Sequence, residues 1–339
     1  MRIRRLSCGV IHEATVGCAV IARCDDRVGA MPIPPSTRPV APLPTRDGVG
    51  PSVVALPEGD WPTMLDFLVE RFPAIARSTW LERIAALTVV DERGEPVTPT
   101  RRYQPRLRLF YYRSLGREPE LPEYETVLHQ DAELVVVDKP HFMPVTPSGP
   151  YLQQSLLVRL KRALGIDALV PLHRIDRATA GLVLFSANPA SRGQYQRLFI
   201  DRAMHKEYEA IVHWPSGATA PASYESRLLP DAHFMRTQEA PGEPNSQTHI
   251  ELLEVRGQHG RLRLSPVTGR KHQLRVHCNA LGMPIVNDEI YPVLKPFGPD
   301  DLARPMQLLA RKLAFDDPLT GMAREFVSAR SLTGWPVSP

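Results

Sequence analysis

Cysteine is scarce. The 339 residues hold four, at 8, 18, 24 and 278, and none forms a CxxC pair. That leaves no disulfide framework and argues against a structural zinc site. A reducing compartment, the cytoplasm, is the expectation. No run of about 18 apolar residues occurs, so no membrane-spanning helix is expected. The opening MRIRRLSCGVIHEATVGCAVIARC has a basic end, but His12 and Glu13 interrupt its apolar middle, which makes it a poor signal peptide. No internal repeat is visible. An excess of charge of one sign is also small: 41 Lys and Arg face 37 Asp and Glu, a net +4. That balance permits a nucleic-acid partner without demonstrating one. Most of it, +3, lies in residues 1–50, which carry seven bases and four acids. Proline, in contrast, is abundant: 35 residues, roughly twice the usual ~5%.

The prolines crowd between Met31 and Pro57. Residues 1–58 are therefore expected to form an extended or disordered tail, with Met31 as an alternative initiator. Residues 59–113 read as a small module. Leu65, Leu68, Val69 and Phe72 predict a short helix stopped by Pro73. Thr79 and Glu82 have capping-box spacing for a second helix. LTVVDERGEPVTP reads as strand, glycine turn, strand. From Glu123 to about 335 a larger domain is expected. It has strands at 134–138, 181–187, 206–213 and in THIELLEV and RLRLSPV. Helices are expected at 151–164, at 188–203 and at 270–281. Adjacent strands with few helices between them predict an α+β fold with a largely antiparallel sheet.

Three stretches could carry chemistry. In LHRIDRATAGLVLFSA, Asp176 stands between Arg174 and Arg177, which would hold it ionised. Such a carboxylate can be a nucleophile or general base, or equally the hub of a structural salt bridge. In SPVTGRKHQLRVHCNALG, Arg270 and Lys271 sit at an expected helix start, where free N–H groups favour an anion. From Arg256 to His277 there are six Lys and Arg and no acid. That composition suits a phosphate backbone, or an ordinary solvated helix. His272 and His277 are five apart and do not share a helix face, so no metal site is expected. Tyr208, in KEYEA, is by itself only a strand tyrosine. Residues 101–117 add six arginines and no acid, readable as a solvated strand face.

Taken in order, HRIDR–TAG–LVLF, KEY and TGRKHQLRVH resemble the RluA family of pseudouridine synthases. DAELVVVDKPHFMPVTPSG, LGMPIVNDEIY and QLLARKLAFDDPLTG resemble its flanking segments, so the likeness runs from about 123 to 330. Residues 59–113 are similar to the alpha-L RNA-binding module that many members carry in front. The resemblance implies a pseudouridine-synthase fold and isomerisation of uridine in a structured RNA, rRNA or tRNA, without cofactor or metal. It implies that Asp176 is the catalytic aspartate. Tyr208 packs on the target base and is a candidate base for the carbon-5 proton, and Arg275 pairs with Asp176. Arg174 enters the stack the uridine leaves, and Arg177, Arg270, Lys271 and His272 lie with the RNA. A monomer is expected.

The pattern departs from the family in places. Ala180 replaces a serine, Asn287 replaces a glycine at a turn that asparagine tolerates, and Tyr291-Pro292 replaces Tyr-Gly. The front module lacks a usual glycine and is acid-rich over 60–100, so a weak RNA grip is expected there, with the arginines at 101–117 contributing more. Two other readings compete. A non-catalytic RNA-binding or assembly factor would need none of Asp176, Tyr208 and Arg275 together. A glycosidic hydrolase would want a second carboxylate, and Glu207 would point away from Tyr208 across the strand.

Overall fold

The computed structural model describes residues 42–113, 118–121, 123–296 and 298–335. They divide into two compact units: the described residues of Met1–Glu118 with Ser148–Gln153, and those of Pro119–Pro147 with Gln154–Pro339.

The first unit holds β1 (Ser52–Ala55), α1 (Met64–Arg71), α2 (Arg77–Ala85), β2 (Val89–Asp91) and β3 (Arg108–Tyr111), with sheet order β1-β3-β2. Met64, Leu65, Phe67 and Leu68 line the buried face of α1, against Trp80 of α2 and Leu109 of β3. The proline pattern predicts an unpaired tail to residue 58. Instead the Ser-Val-Val-Ala run between Pro51 and Pro57 is a strand, registered Ser52↔Tyr111 to Ala55↔Arg108. Its β-branched residues suit a half-buried edge, and the prolines fall outside the pairing. Residues 1–41, with Cys8, Cys18 and Cys24, lie outside the described residues. The capping box also moves. Thr79 is inside α2, whereas Thr63 caps α1, accepting the Asp66 N–H at 3.1 Å and donating to its carboxylate at 2.6 Å. The arginines of 101–117 are largely engaged. Arg101 pairs with Asp91 (2.6 Å), Arg106 with Glu58 (2.7 Å) and Arg108 with Glu92 (2.9 Å), while Arg113 donates to the Gly149 carbonyl (2.9 Å).

The second unit holds β4 (Thr126–Gln130), β5 (Leu134–Lys139), α3 (Leu156–Leu164), β6 (Val170–Pro171), β7 (Ala180–Ser186), α4 (Arg192–Ile200), β8 (His205–His213) and β9 (Ser223–Pro230). It continues with β10 (Thr237–Ala240), β11 (Ser246–Arg256), β12 (His259–Pro266), α5 (Gln273–Ala280), β13 (Leu308–Asp316) and β14 (Ala323–Val327). Its strands make one sheet in the order β10-β9-β11-β12-β8-β13-β7-β5-β4, with β14 on β13 and β6 on β7. Among the described residues every strand pairing of this sheet is antiparallel except β13 with β7. The unbroken apolar runs of β5 and β7 are buried on both faces. Val135 and Phe185 pack with Leu156 of α3, while Val136 and Leu184 pack with Tyr195 of α4. Period-2 side-chain alternation feeds both layers.

The boundary at 123 is not continuous. Ser148–Gln153, expected inside the larger domain and partly in a helix from 151, belongs to the first unit. Ser148 and Tyr151 exchange backbone hydrogen bonds (2.9 and 3.0 Å), and the Glu118 carboxylate accepts the N–H groups of Leu152 and Gln153, both at 2.8 Å. Helix α3 starts only at Leu156 and stops at Gly165, φ 66°.

Candidate active site

Asp176 lies in the loop between β6 and β7. Its carbonyl accepts the Thr179 N–H at 3.1 Å, closing a turn just before the strand. Gly181 then lets β7 run against β13: its φ is +108°, and a Cβ there would stand 2.3 Å from the Ala310 carbonyl oxygen. Only glycine satisfies both conditions without strain. The TAG sequence thus brings the Asp176 loop onto the one parallel junction of the sheet.

Arg275 comes from α5, whose Leu274 and Cys278 pack on Leu262, Leu264 and Ala210 of β12 and β8. Its guanidinium is 4% exposed and holds two carboxylates. Nη1 reaches Asp176 Oδ2 at 2.9 Å; Nε and Nη2 grip Asp288 at 2.7 Å each. Asp288 is fully buried and also accepts the N–H groups of Ile290 and Tyr291. This fork geometry is the one arginine offers and lysine does not. Asn287, φ 62°, makes the left-handed turn that presents Asp288.

Tyr208 sits in mid-sheet, opposite Leu264 on one side and Ala310 on the other. Burial, then the Asp176 charge, push its phenol far above the ordinary range. Glu207, the next residue, meets Arg263 and Lys312 instead, as strand alternation requires.

Burial pushes the Asp176 carboxyl up, but it is outweighed by the charges of His272 (when protonated), Arg275 and Lys139 and by the Arg275 hydrogen bond, so it stays below the ordinary carboxylate range. The source of that charge differs from the local reading of HRIDR. Arg174 is exposed, and Arg177 forks onto Asp300 at 2.6 and 2.7 Å. The stabilising arginine is 99 residues away in sequence. Arg270 and Lys271 are exposed; Arg270 donates to the Asn245 carbonyl and Lys271 to that of Phe234. Helix α5 begins at Gln273, not at 270, because the Gln273 side chain folds back to accept the Arg270 N–H at 3.1 Å. His272, read as an RNA-side residue, is instead 8% exposed, with Nε2 3.8 Å from Asp176 Oδ1.

Sequence reasoning missed Lys139 and Asp288. Lys139 is wholly buried; its Nζ donates to the carbonyls of Pro140 (2.9 Å), Met143 (2.8 Å) and Arg177 (3.2 Å). It pins the loop after β5 to the Asp176 loop. Burial pushes its ammonium well down, and Asp176 opposes that. The available signal was a lysine closing an otherwise apolar strand, LVVVDK. Asp288 had the weaker signal of a carboxylate after a turn residue.

The family profile described as RNA pseudouridylate synthase matches residues 133–280, a span that contains Asp176, Tyr208 and Arg275. An uncharacterized RNA pseudouridine synthase of Synechocystis is 31% identical over 234 residues, 67% of this chain and 79% of that protein. The dual-specificity RNA pseudouridine synthase RluA of Haemophilus influenzae is 32% identical over 219 residues, 61% of this chain and 94% of that one. Among solved structures, human RNA pseudouridylate synthase domain containing 1 shares the fold. It has a TM-score of 0.50 at 23% identity, over 63% of this chain and 86% of that chain. With its own sheet, catalytic-type loop and relatives in agreement, the chain belongs to the RluA family of RNA pseudouridine synthases, isomerases that act on uridine in RNA.

Proposed function

We propose that this protein converts uridine to pseudouridine at a site in structured rRNA or tRNA, with Asp176 as nucleophile. The observation that carries this reading is the Asp176 carboxylate itself. It is 29% exposed, ionised, and held by one oxygen on a buried arginine that a second carboxylate fixes from behind. The reaction breaks the bond from ribose C1′ to uracil N1 and forms one from C1′ to C5, while the C5 proton is lost and N1 gains one. No electrons are exchanged with an outside partner, so the proposal includes no cofactor. An ionised carboxylate serves attack on the ribose and addition to the uracil ring alike.

The other residues take roles around it. Tyr208 packs under the base; burial and the Asp176 charge keep its phenol protonated, so it serves as a stacking ring and the C5 proton leaves to water. The target must leave its stack, at a cost of a few kcal/mol. Exposed Arg174 offers a flat cation to occupy the gap, and a stacked aromatic ring offsets the rest. Arg270 and Lys271 supply the salt-dependent phosphate contacts. Arg177, committed to Asp300, braces the loop.

Asp176→Asn keeps the shape and removes the nucleophile. It is expected to abolish pseudouridine formation on RNA from a strain lacking the gene, while the dissociation constant changes by less than about threefold. Full activity in that variant ends the proposal. Mapping pseudouridine with and without the gene names the RNA.

A further inference from the structure

Two oxygens define the Asp176 carboxylate, and the structure treats them differently. Oδ2 accepts from Arg275 at 2.9 Å. Oδ1 faces His272 Nε2 at 3.8 Å, too far for a hydrogen bond. What His272 presents to Oδ1 follows from its other nitrogen. Nδ1 is 3.1 Å from the Tyr291 hydroxyl. That hydroxyl donates its one proton to the Thr237 carbonyl at 2.8 Å and accepts the Thr237 N–H at 2.8 Å. A hydroxyl has one donor and two acceptor positions, so the position left for His272 is an acceptor. Nδ1 therefore carries the proton, and in the neutral ring Nε2 carries a lone pair.

The ring is also fixed in place. His272 is the residue before α5, in the left-handed region at φ 56°, and its carbonyl accepts the Val276 N–H at 3.0 Å. Its plane meets the Tyr291 ring edge-on, 88° at 5.8 Å. The charged and titratable groups facing it are Asp176, Arg275, Lys271, Asp288 and Tyr291. The two cations among them oppose a second proton on the imidazole.

We propose that His272 is a positioning residue for the nucleophile: Tyr291 holds it in the Nδ1–H tautomer, so that it walls Asp176 Oδ1 with a lone pair and leaves that oxygen uncapped for reaction. This rests on the reading that Asp176 reacts. A donor that closed the 3.8 Å gap from this side would occupy the oxygen that must attack, whereas an RNA-contacting histidine would act on affinity. Tyr291 in turn ties this arrangement to the start of β10 through Thr237.

The direct test is the imidazole 15N spectrum of the full-length protein labelled in histidine at pH 7, assigned by difference from His272→Gln. Nδ1 protonated and Nε2 bare is the expected result; a protonated Nε2 overturns the inference. Kinetics on RNA from the deletion strain give an independent readout. Tyr291→Phe is expected to lower the rate of pseudouridine formation about tenfold, and His272→Lys, which sets a permanent donor against Oδ1, about a hundredfold. Filter-binding dissociation constants should stay within about twofold of wild type. If His272→Lys keeps its rate, or if the variants weaken binding and leave turnover intact, the positioning role is wrong. An active Asp176→Asn would instead overturn the site itself, which separates the two failures.

Discussion

At the scale of single residues, the site is an arginine shared between two carboxylates of unequal exposure. Asp176 reaches solvent; Asp288 does not. Removing Asp288 leaves a buried guanidinium with half its partners. Burying an unpaired charge costs about 3–5 kcal/mol where one member of a buried pair is deleted. Asp288→Asn retains an acceptor but not the charge. Its loss is therefore expected below that range, about 2–3 kcal/mol by urea unfolding, with turnover falling because Arg275 is free to swing off Asp176. A variant with wild-type stability and rate would show that Asp288 is incidental. Asp176 and Arg275 were visible in the sequence only as parts of long motifs. Local chemistry pointed to Arg174 and Arg177, because neighbours in sequence are the only neighbours a local reading has. Lys139 and Asp288 stayed hidden for the same reason: the Arg177 carbonyl that Lys139 reaches at 3.2 Å is 38 residues away, and the Arg275 guanidinium that Asp288 holds at 2.7 Å is 13 away.

Elements were legible where periodicity was strong and illegible where side chains set the ends. The runs around 134–138 and 181–187 announced buried strands and became β5 and β7. Helix starts were the weak point. A threonine three residues before an acid occurs at both Thr63 and Thr79, and only the position of Trp80 in the core shows that Thr79 is already helical. At α5 the glutamine that caps Arg270 takes three residues out of the expected helix. The junction of β7 and β13 carries a sharper expectation. Gly181→Ala must relieve both a positive φ and an overlap with the Ala310 backbone, which cannot move without breaking the pair. A loss of about 2 kcal/mol or more is expected, and it should also displace Asp176, five residues away. A melting temperature within about 2 °C of wild type would mean that β13 yields at no cost.

For the molecule as a whole, net charge said little, because many of the arginines it counts are paired with carboxylates of the chain itself. Arg101, Arg106 and Arg108 serve the first unit, and Arg261 with Arg311 clasp Glu209 in the second. Histidine is more informative. The described residues of the first unit contain none, so the imidazoles with shifted titration all lie in the second. There burial pushes five imidazoles down: His173 to about 3, His272 to about 4 and His277 to about 4, with His141 and His213 also below their ordinary value. His277 is 1% exposed and satisfied as a neutral ring by Thr248, Ser246 and Ser226. In the unfolded chain each titrates near 6.5. Between about pH 6.5 and 4 the unfolded state therefore binds more protons than the folded one, and stability rises with pH across that window. It is fully present above about 6.5 and drains away as acid approaches the folded values. Calorimetric melts at pH 7.5, 6.0 and 5.0 are expected to show a falling transition well before the carboxylates titrate. His277→Asn cannot take a proton, so it should start lower at pH 7.5 and fall less steeply, narrowing its gap to wild type at pH 5. Parallel curves for the two proteins would show that His277 takes up its proton in the folded state as readily as in the unfolded chain, so that its three hydroxyl partners accommodate an imidazolium.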